Sequence, residues 1–297
     1  MKKRVIAILS LLLVLIMLPT AVFAEGKAEP NEAALDAYLR TAGYPGDVIS
    51  SFEVEQKISL FNRKAVYLYH KSEVGSLLAE MPPAESEPGA GGITTLRSDD
   101  VNMDFFDSTL VASQVADPYS TIARVQFDYN WDWDLTNYNG RYHELNYHDV
   151  DKFGIAWSDG WDPEPESAVY SYRYYGSNGS IYRNESIGMI NDYDSFDQGE
   201  GIGWEIELVE SFSDHQRSYG TYRHKGWGQV TAVIDHDGSG GTGSSSAVGT
   251  YFHHHIGANE GTLQYQGGAV PTVGITYSWQ YSQSDGSAGE QWFWTKN

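Results

Sequence analysis

The chain has 297 residues, with 19 Lys and Arg against 40 Asp and Glu, a formal net charge of −21 and no cysteine. That charge excludes nucleic acid as a partner, because phosphate binding needs a cationic face, and it excludes electrostatic docking on anionic lipid. Without cysteine there is no disulfide framework, thiolate metal site or Cys nucleophile, while 41% hydrophobic and 14% aromatic content is enough to build a core, which a disordered acidic chain lacks.

Residues 1–24 have the order of a secretory signal. Lys2, Lys3 and Arg4 form a basic start, Val5 to Met17 is apolar apart from Ser10, and Val22 and Ala24 place small residues three and one before the expected cut. The apolar run is shorter than the ~20 residues that span a bilayer. Cleavage after Ala24 is therefore expected, with a secreted, extracellular product of charge −24 once the three cations leave. No later stretch is apolar enough to span a membrane, and a cysteine-free secreted chain of this size points to a bacterial exporter.

Residues 25–78 read as a small helical lead. Asn31 can cap a helix carrying Leu35, Tyr38 and Leu39 on one face, which Gly43 and Pro45 end. Asp47 is placed to cap a second helix bearing Val48, Ile49 and Phe52. A third helix or turn through Ile58, Leu60 and Phe61 leads to a strand over 65–69. Residues 79–99 read as a linker, rich at first in Pro, Gly and Glu without apolar periodicity.

From 100 to 297 the chain reads as strands. Phe127, Tyr129, Trp131 and Trp133 alternate with Asp128, Asn130, Asp132 and Asp134, a period of two. Asn178-Gly179 separates two strand patterns and marks a hairpin. Further strands are expected over 203–209, 218–224, 229–236, 247–256, 262–266, 273–281 and 291–295. Gly or Pro recurs between them, and all nine Trp lie between Trp131 and Trp294. The expected fold is mainly β, an antiparallel β-sandwich or jelly roll.

The segment Tyr38-Leu39-Arg40-Thr41-Ala42-Gly43-Tyr44-Pro45, followed by Val48-Ile49, resembles a stretch in exported, uncharacterised proteins of bacilli and their relatives. There a similar lead precedes a β-rich half, and the resemblance implies no activity.

Nucleophile motifs of the G-x-S-x-G, S-x-x-K and P-loop kinds are absent. His143 and His148 stand five residues apart, which on a helix turns them about 140° from each other, so they cannot share a zinc ion. His253 and His255 share a strand face. The simplest hairpin, with 237–246 as its loop, sets Val230 opposite His253 and Gly228 opposite His255, and neither is a ligand. A His ladder in solvent or on aromatic rings is thus the first reading and a metal site the second. Asp235, Asp237 and Ser239 supply oxygen at positions 1, 3 and 5 of a calcium loop with Gly240 at position 6. Ser246 stands where the bidentate Glu belongs, leaving a flexible Gly- and Ser-rich loop and a weak calcium site both open. Repulsion among Asp128, Asp132 and Asp134 points to solvent or a cation on their face.

Glu205 and Glu207 share one face of a strand whose Trp204, Ile206 and Leu208 turn inward. The run Glu205-Ile206-Glu207-Leu208-Val209-Glu210 resembles the E-[ILV]-D-x-x-E motif of laminarinase-like jelly-roll glycosidases. The resemblance implies a nucleophile at Glu205 and an acid at Glu210, but Glu207 replaces the Asp that orients the nucleophile. Tyr170, Tyr172 and Tyr174, with Trp157, Trp161, Trp279, Trp292 and Trp294, either fill the core or offer rings to sugars.

The expectation is a secreted, non-catalytic interaction protein that contacts an extracellular glycan or another cell-surface component. It requires no cofactor and is assisted by calcium. The alternative is a secreted glycan hydrolase of the jelly-roll type using Glu205 and Glu210.

Overall fold

The computed structural model describes residues 30–74, 106–116, 121–134, 150–176, 181–182, 193–197, 200–209, 211–213, 218–236, 240–254, 261–276, 281–283 and 291–296. Among the described residues three short helices come first: α1 (Glu32–Thr41), α2 (Gly46–Ser51) and α3 (Val54–Asn62). Asn31 caps α1 as expected, its Oδ1 accepting the Ala34 N–H at 2.9 Å. Gly43 takes the left-handed backbone that ends the helix, at φ +95°. Asp47 does not cap α2. The extended Pro45 fills that position without a side-chain bond, and Asp47 falls in the first turn.

The strands follow as β1 (Val66–Val74), β2 (Phe106–Val115), β3 (Ile122–Asp134), β4 (Val150–Trp157), β5 (Asp162–Gly176), β6 (Ile181–Tyr182), β7 (Ser195–Asp197), β8 (Gly201–Glu207), β9 (Ser211–Ser213), β10 (Ser218–Asp235), β11 (Thr242–Ser245), β12 (Ala247–His254), β13 (Leu263–Gln266), β14 (Thr272–Ile275), β15 (Tyr281–Gln283) and β16 (Trp292–Thr295). Pairing of the described strands is antiparallel throughout. A seven-stranded sheet runs β1-β2-β3-β10-β5-β6, with β9 also on β10. A five-stranded sheet runs β15-β12-β4-β8-β7, and β11-β16 and β13-β14 form two small ribbons. The molecule is mainly β, with antiparallel sheets packed against each other.

The two sheets face each other across an aromatic core. Phe127, Tyr129, Trp131 and Trp133 from β3 meet Phe153 and Trp157 from β4, Trp204 from β8 and Tyr251 from β12. Phe127 lies flat on Trp157, with ring centroids 5.6 Å apart. Trp161, Trp292 and Trp294 join the same cluster, and Ser245 Oγ accepts from the indoles of Trp161 at 2.7 Å and Trp294 at 3.1 Å. Glycine makes room for these rings: a Cβ on Gly228 would sit 2.5 Å from Trp204, and one on Gly226 2.3 Å from Trp131.

Two features of register differ from the sequence reading. The patterns at 218–224 and 229–236 fuse into the single strand β10, while 273–281 divides into β14 and β15. The hairpin between β10 and β12 does not form. β10 lies between β3 and β5, and β12 lies between β4 and β15 in the other sheet. The chain changes layers here because Val230 and Tyr251 are both wholly buried and enter the core from opposite sheets. That burial outweighs the local closure of a short loop.

Both outer faces are covered. The helices lie on the seven-stranded sheet, and β1 pairs along β2, so segments on either side of 79–99 share one sheet. The face of Asp128 and Asn130 is therefore not solvated: these two residues are 0% and 4% exposed. The β13–β14 ribbon lies over the five-stranded sheet, where Leu263, Tyr265, Val273 and Ile275 meet Ala156, Val248 and Phe252.

Candidate functional site

The ribbon β13–β14 is seated on glycine. Cross-strand pairing sets Gly154 beside Gly203 and Ala156 beside Gly201. A Cβ on Gly201 would stand 2.2 Å from Tyr265 Cδ1, and one on Gly203 2.3 Å from Leu263 Cδ1. Close approach of backbone to ring is what strand glycine permits. The Tyr265 hydroxyl then reaches Ser195 Oγ at 2.5 Å on the edge strand β7, and burial raises its phenol above the usual value.

Between ribbon and edge strand runs an open groove of about 700 Å³, within the ~300–1,000 Å³ of small-ligand sites. Asp194, Ser195 and Asp197 form the β7 side, and Thr262, Gln264 and Thr276 the ribbon side. Buried Leu263 and Tyr265 contribute its apolar part. Asp194 is tied to the neighbouring strand: its Oδ2 accepts the Glu205 N–H at 2.6 Å, and its own N–H donates to Gly203 O at 2.9 Å. The groove thus offers carboxylate, hydroxyl and amide groups around an apolar base, held on a paired strand and a packed ribbon.

None of these groove residues was singled out by the sequence reading. They come from segments about 70 residues apart, and the only local signal was Gly203 at the start of the strand expected over 203–209, with Gly201 just before it.

Glu205 lies just outside the groove, and its side chain forms an ion pair with Lys152. The Lys152 side chain is 3% exposed and that of Glu205 37%, so the pair joins an amine in the sheet to a carboxylate at its surface. Trp204 and Ile206 face the core and Glu207 is exposed, as alternation required. Glu210 lies outside the described residues.

The metal candidates fall only partly within the described residues. Asp235 is exposed at the end of β10, and Asp237 and Ser239 lie outside the described residues. No group of three or more His, Cys, Asp or Glu side chains suited to a metal ion occurs among the described residues. His143, His148 and His255 fall outside them as well.

His253 points into the sandwich, 5.5 Å from the ring of Trp133. Its Nδ1–H donates to Asp151 Oδ2 at 2.9 Å. Asp151 also accepts from the Tyr251 hydroxyl at 2.6 Å and the His254 N–H at 3.0 Å, and both Asp151 and His253 are 0% exposed. Nearby His224 holds the Tyr172 hydroxyl at 2.7 Å. Burial, then the proximity of His253, lower the His224 imidazole to about 3, so it is neutral. Among the described residues this network is an internal, buried polar brace.

The described aromatic residues do not form an external platform. Trp157, Trp161, Trp292 and Trp294 are buried, and Tyr170, Tyr172 and Tyr174 pack on the inter-sheet core; Trp279 lies outside the described residues. No helix among the described residues is long and apolar enough to cross a membrane.

Neither a protein-family model nor a curated protein matches the chain. Among solved structures, a pore forming protein is similar at 8% identity and a TM-score of 0.26, over 78% of this chain and 92% of that one. The NetB toxin of Clostridium perfringens in its membrane-inserted form reaches 10% identity and 0.27, over 78% and 95%. The delta-toxin of Clostridium perfringens reaches 9% and 0.23, over 64% and 83%.

Proposed function

We propose that this is a secreted, non-catalytic interaction protein that holds an extracellular glycan or a similar polyhydroxylated cell-surface ligand in the groove between β7 and β13. The observation that carries the reading is the lining of that groove. Asp194, Asp197 and Gln264 accept or donate in planes, Ser195, Thr262 and Thr276 do so from hydroxyls, and an apolar base lies beneath. Sugars present hydroxyls that both donate and accept around apolar C–H faces, so they match such a lining.

The hydrolase alternative has less support. A retaining enzyme needs a nucleophile and an acid about 5–5.5 Å apart, and the implied nucleophile is bound to Lys152. Freeing Glu205 for chemistry would take the carboxylate away from the buried Lys152 ammonium.

Secretion rests on residues 1–24, and N-terminal sequencing of exported protein beginning at Glu25 is the matching result. A calcium role rests on Asp235, Asp237 and Ser239. A site loaded to ten times its dissociation constant stabilises by about 1.4 kcal/mol. The melting temperature should therefore rise in millimolar calcium over chelator, and less so in Asp237→Ala.

The test of binding is equilibrium titration of the mature protein against a panel of neutral oligosaccharides, with Gln264→Ala and Asp197→Ala alongside. Saturable binding that weakens at least tenfold in both variants supports the groove. No binding, or binding indifferent to both substitutions, refutes it.

A further inference from the structure

The helical lead meets the seven-stranded sheet in an unusual manner. It has a small apolar core of its own, formed by Leu39, Tyr44, Val48, Ile49, Phe52, Leu60 and Ala65, to which β2 adds only Val111 and Val115. Across β3, β10 and β5 its contacts are polar. Gln56 donates to Asp128 at 3.1 Å, Gln229 donates to Ser59 at 3.2 Å, and Arg63 bonds Thr231. Glu53 pairs with Arg173 and Lys225, and Glu55 with Arg173. Polar bonds of this kind can be exchanged for bonds to water when the two surfaces part. The apolar contact of the lead with the sheet is thus confined to β2, at one side of the covered face.

The sheet beneath is also incomplete. Asn130, Trp227 and Ser171 are direct cross-strand neighbours on β3, β10 and β5, 4%, 4% and 2% exposed. Trp227 lies outside all three apolar clusters, between Lys225 and Gln229 on the helix-covered face. Among the described residues, Asn130 Nδ2 and Oδ1, Trp227 Nε1, Ser171 Oγ and Gln229 Oε1 have no hydrogen-bond partner. Native structures leave few such groups, and these stand together. The joint between α3 and β1 carries Lys64 at φ +53°, the left-handed residue that closes the helix.

We infer that residues 30–65 are a detachable cover and that the sheet face beneath, centred on Asn130, Ser171, Trp227 and Gln229, is a second binding surface for a neutral, hydroxyl-rich ligand. Two donor-only groups, two acceptor-only groups and one hydroxyl within a single patch call for a ligand that donates and accepts at each position. Lys225 stands between Asp132 and Arg173 in the register, and Asp128 lies opposite Gln229, so the face carries both signs of charge. With the cover closed, Glu53 and Glu55 hold those two cations and the patch is shut.

The test has two parts. Native-state hydrogen exchange of the mature protein reads whether α1–α3 open without the sandwich. Their amides are expected to exchange at least tenfold faster than those of β4 and β12, by an opening insensitive to low denaturant. Exchange of the helices only through global unfolding overturns the cover.

Binding is then measured to cello-, xylo-, malto- and chito-hexaose for wild type and for Glu53→Lys/Glu55→Lys, which sets the cover against Arg173 and Lys225 while leaving the sheet intact. Unchanged near-ultraviolet dichroism certifies the sandwich. The expected result is at least tenfold tighter binding of one hexaose by the opened variant. That gain should vanish on adding Asn130→Ala and Trp227→Ala, and on reclosing with Arg173→Glu/Lys225→Glu. No gain in an opened variant, or a gain that survives Asn130→Ala with Trp227→Ala, overturns the inference. Neither outcome touches the β7–β13 groove, whose own test is Gln264→Ala.

Discussion

Replacing Gly201 by Ala tests the seating of the ribbon that forms one wall of the groove. The new methyl would stand 2.2 Å from Tyr265 Cδ1 and 2.7 Å from the backbone oxygen of Ile155. Neither is the loose end of a flexible side chain. Tyr265 is buried and bonded to Ser195, and Ile155 is in the central strand of its sheet. Overpacking of this kind costs about 1–3 kcal/mol, and here it falls at the upper end because one of the two obstacles is backbone. With a urea slope of about 3 kcal/mol per molar for a chain of this size, the midpoint should drop by about 0.7–1 M. Gly220→Ala is the control, since a Cβ there meets nothing within 4 Å, and a change within about 0.5 kcal/mol is expected. In a Tyr265→Ala background the cost of Gly201→Ala should shrink by at least about 1 kcal/mol, as two groups in contact are coupled. The Ile155 oxygen remains in both backgrounds, so the difference isolates the ring. A Gly201→Ala midpoint equal to that of Gly220→Ala, or costs that simply add in the double variant, would refute the seating.

Other expectations follow from buried polar groups. Burial pushes Asp128 up to about 6 against the bonds from Gln126 and Gln56 and the pull of Arg63, itself near Arg124 and Glu164. Its folded value thus exceeds the unfolded one. Its contribution is fully present below about pH 4 and is lost as pH rises through 6, a difference of up to roughly 3 kcal/mol. Asp128→Asn should therefore be more stable than wild type at pH 8 and should flatten the pH dependence between 4 and 7, as read by chemical denaturation at each pH; a wild-type-like slope would be the contrary result. Ser245→Ala removes the shared acceptor of Trp161 and Trp294, leaving two buried indole N–H groups unpaired, and should cost about 2–4 kcal/mol. A loss under 1 kcal/mol in thermal or urea unfolding would show that those bonds do not brace the end of the sandwich.

The alternation of Phe127, Tyr129, Trp131 and Trp133 with polar residues made the strand and its core face legible, because side-chain period is set by backbone geometry alone. What covered the other face was not. Asp128 and Asn130 alternate identically whether water or a polar helix lies on them, and α3 shows its Gln56 and Ser59 only once placed. Pairing was equally hidden: a short loop made β10 and β12 look adjacent, while the burial that sends them to different sheets is a property of the assembled core. The partner of Glu205 depended on the same information, since Lys152 stands opposite it only through the β4–β8 register. Gly203 was visible at the start of an expected strand and Gly201 just before it, but the rings and side chains above them arrive from residues 263 and 265.

Reducing ends released from whichever glycan binds tightest, measured at saturating ligand, bear most directly on a binding protein whose Glu205 is held by Lys152. The expected release equals that of the protein-free blank while the ligand remains bound. Release above the blank that disappears in Glu205→Gln, with the fold and the binding retained, would contradict it and make Glu205 the nucleophile of a hydrolase.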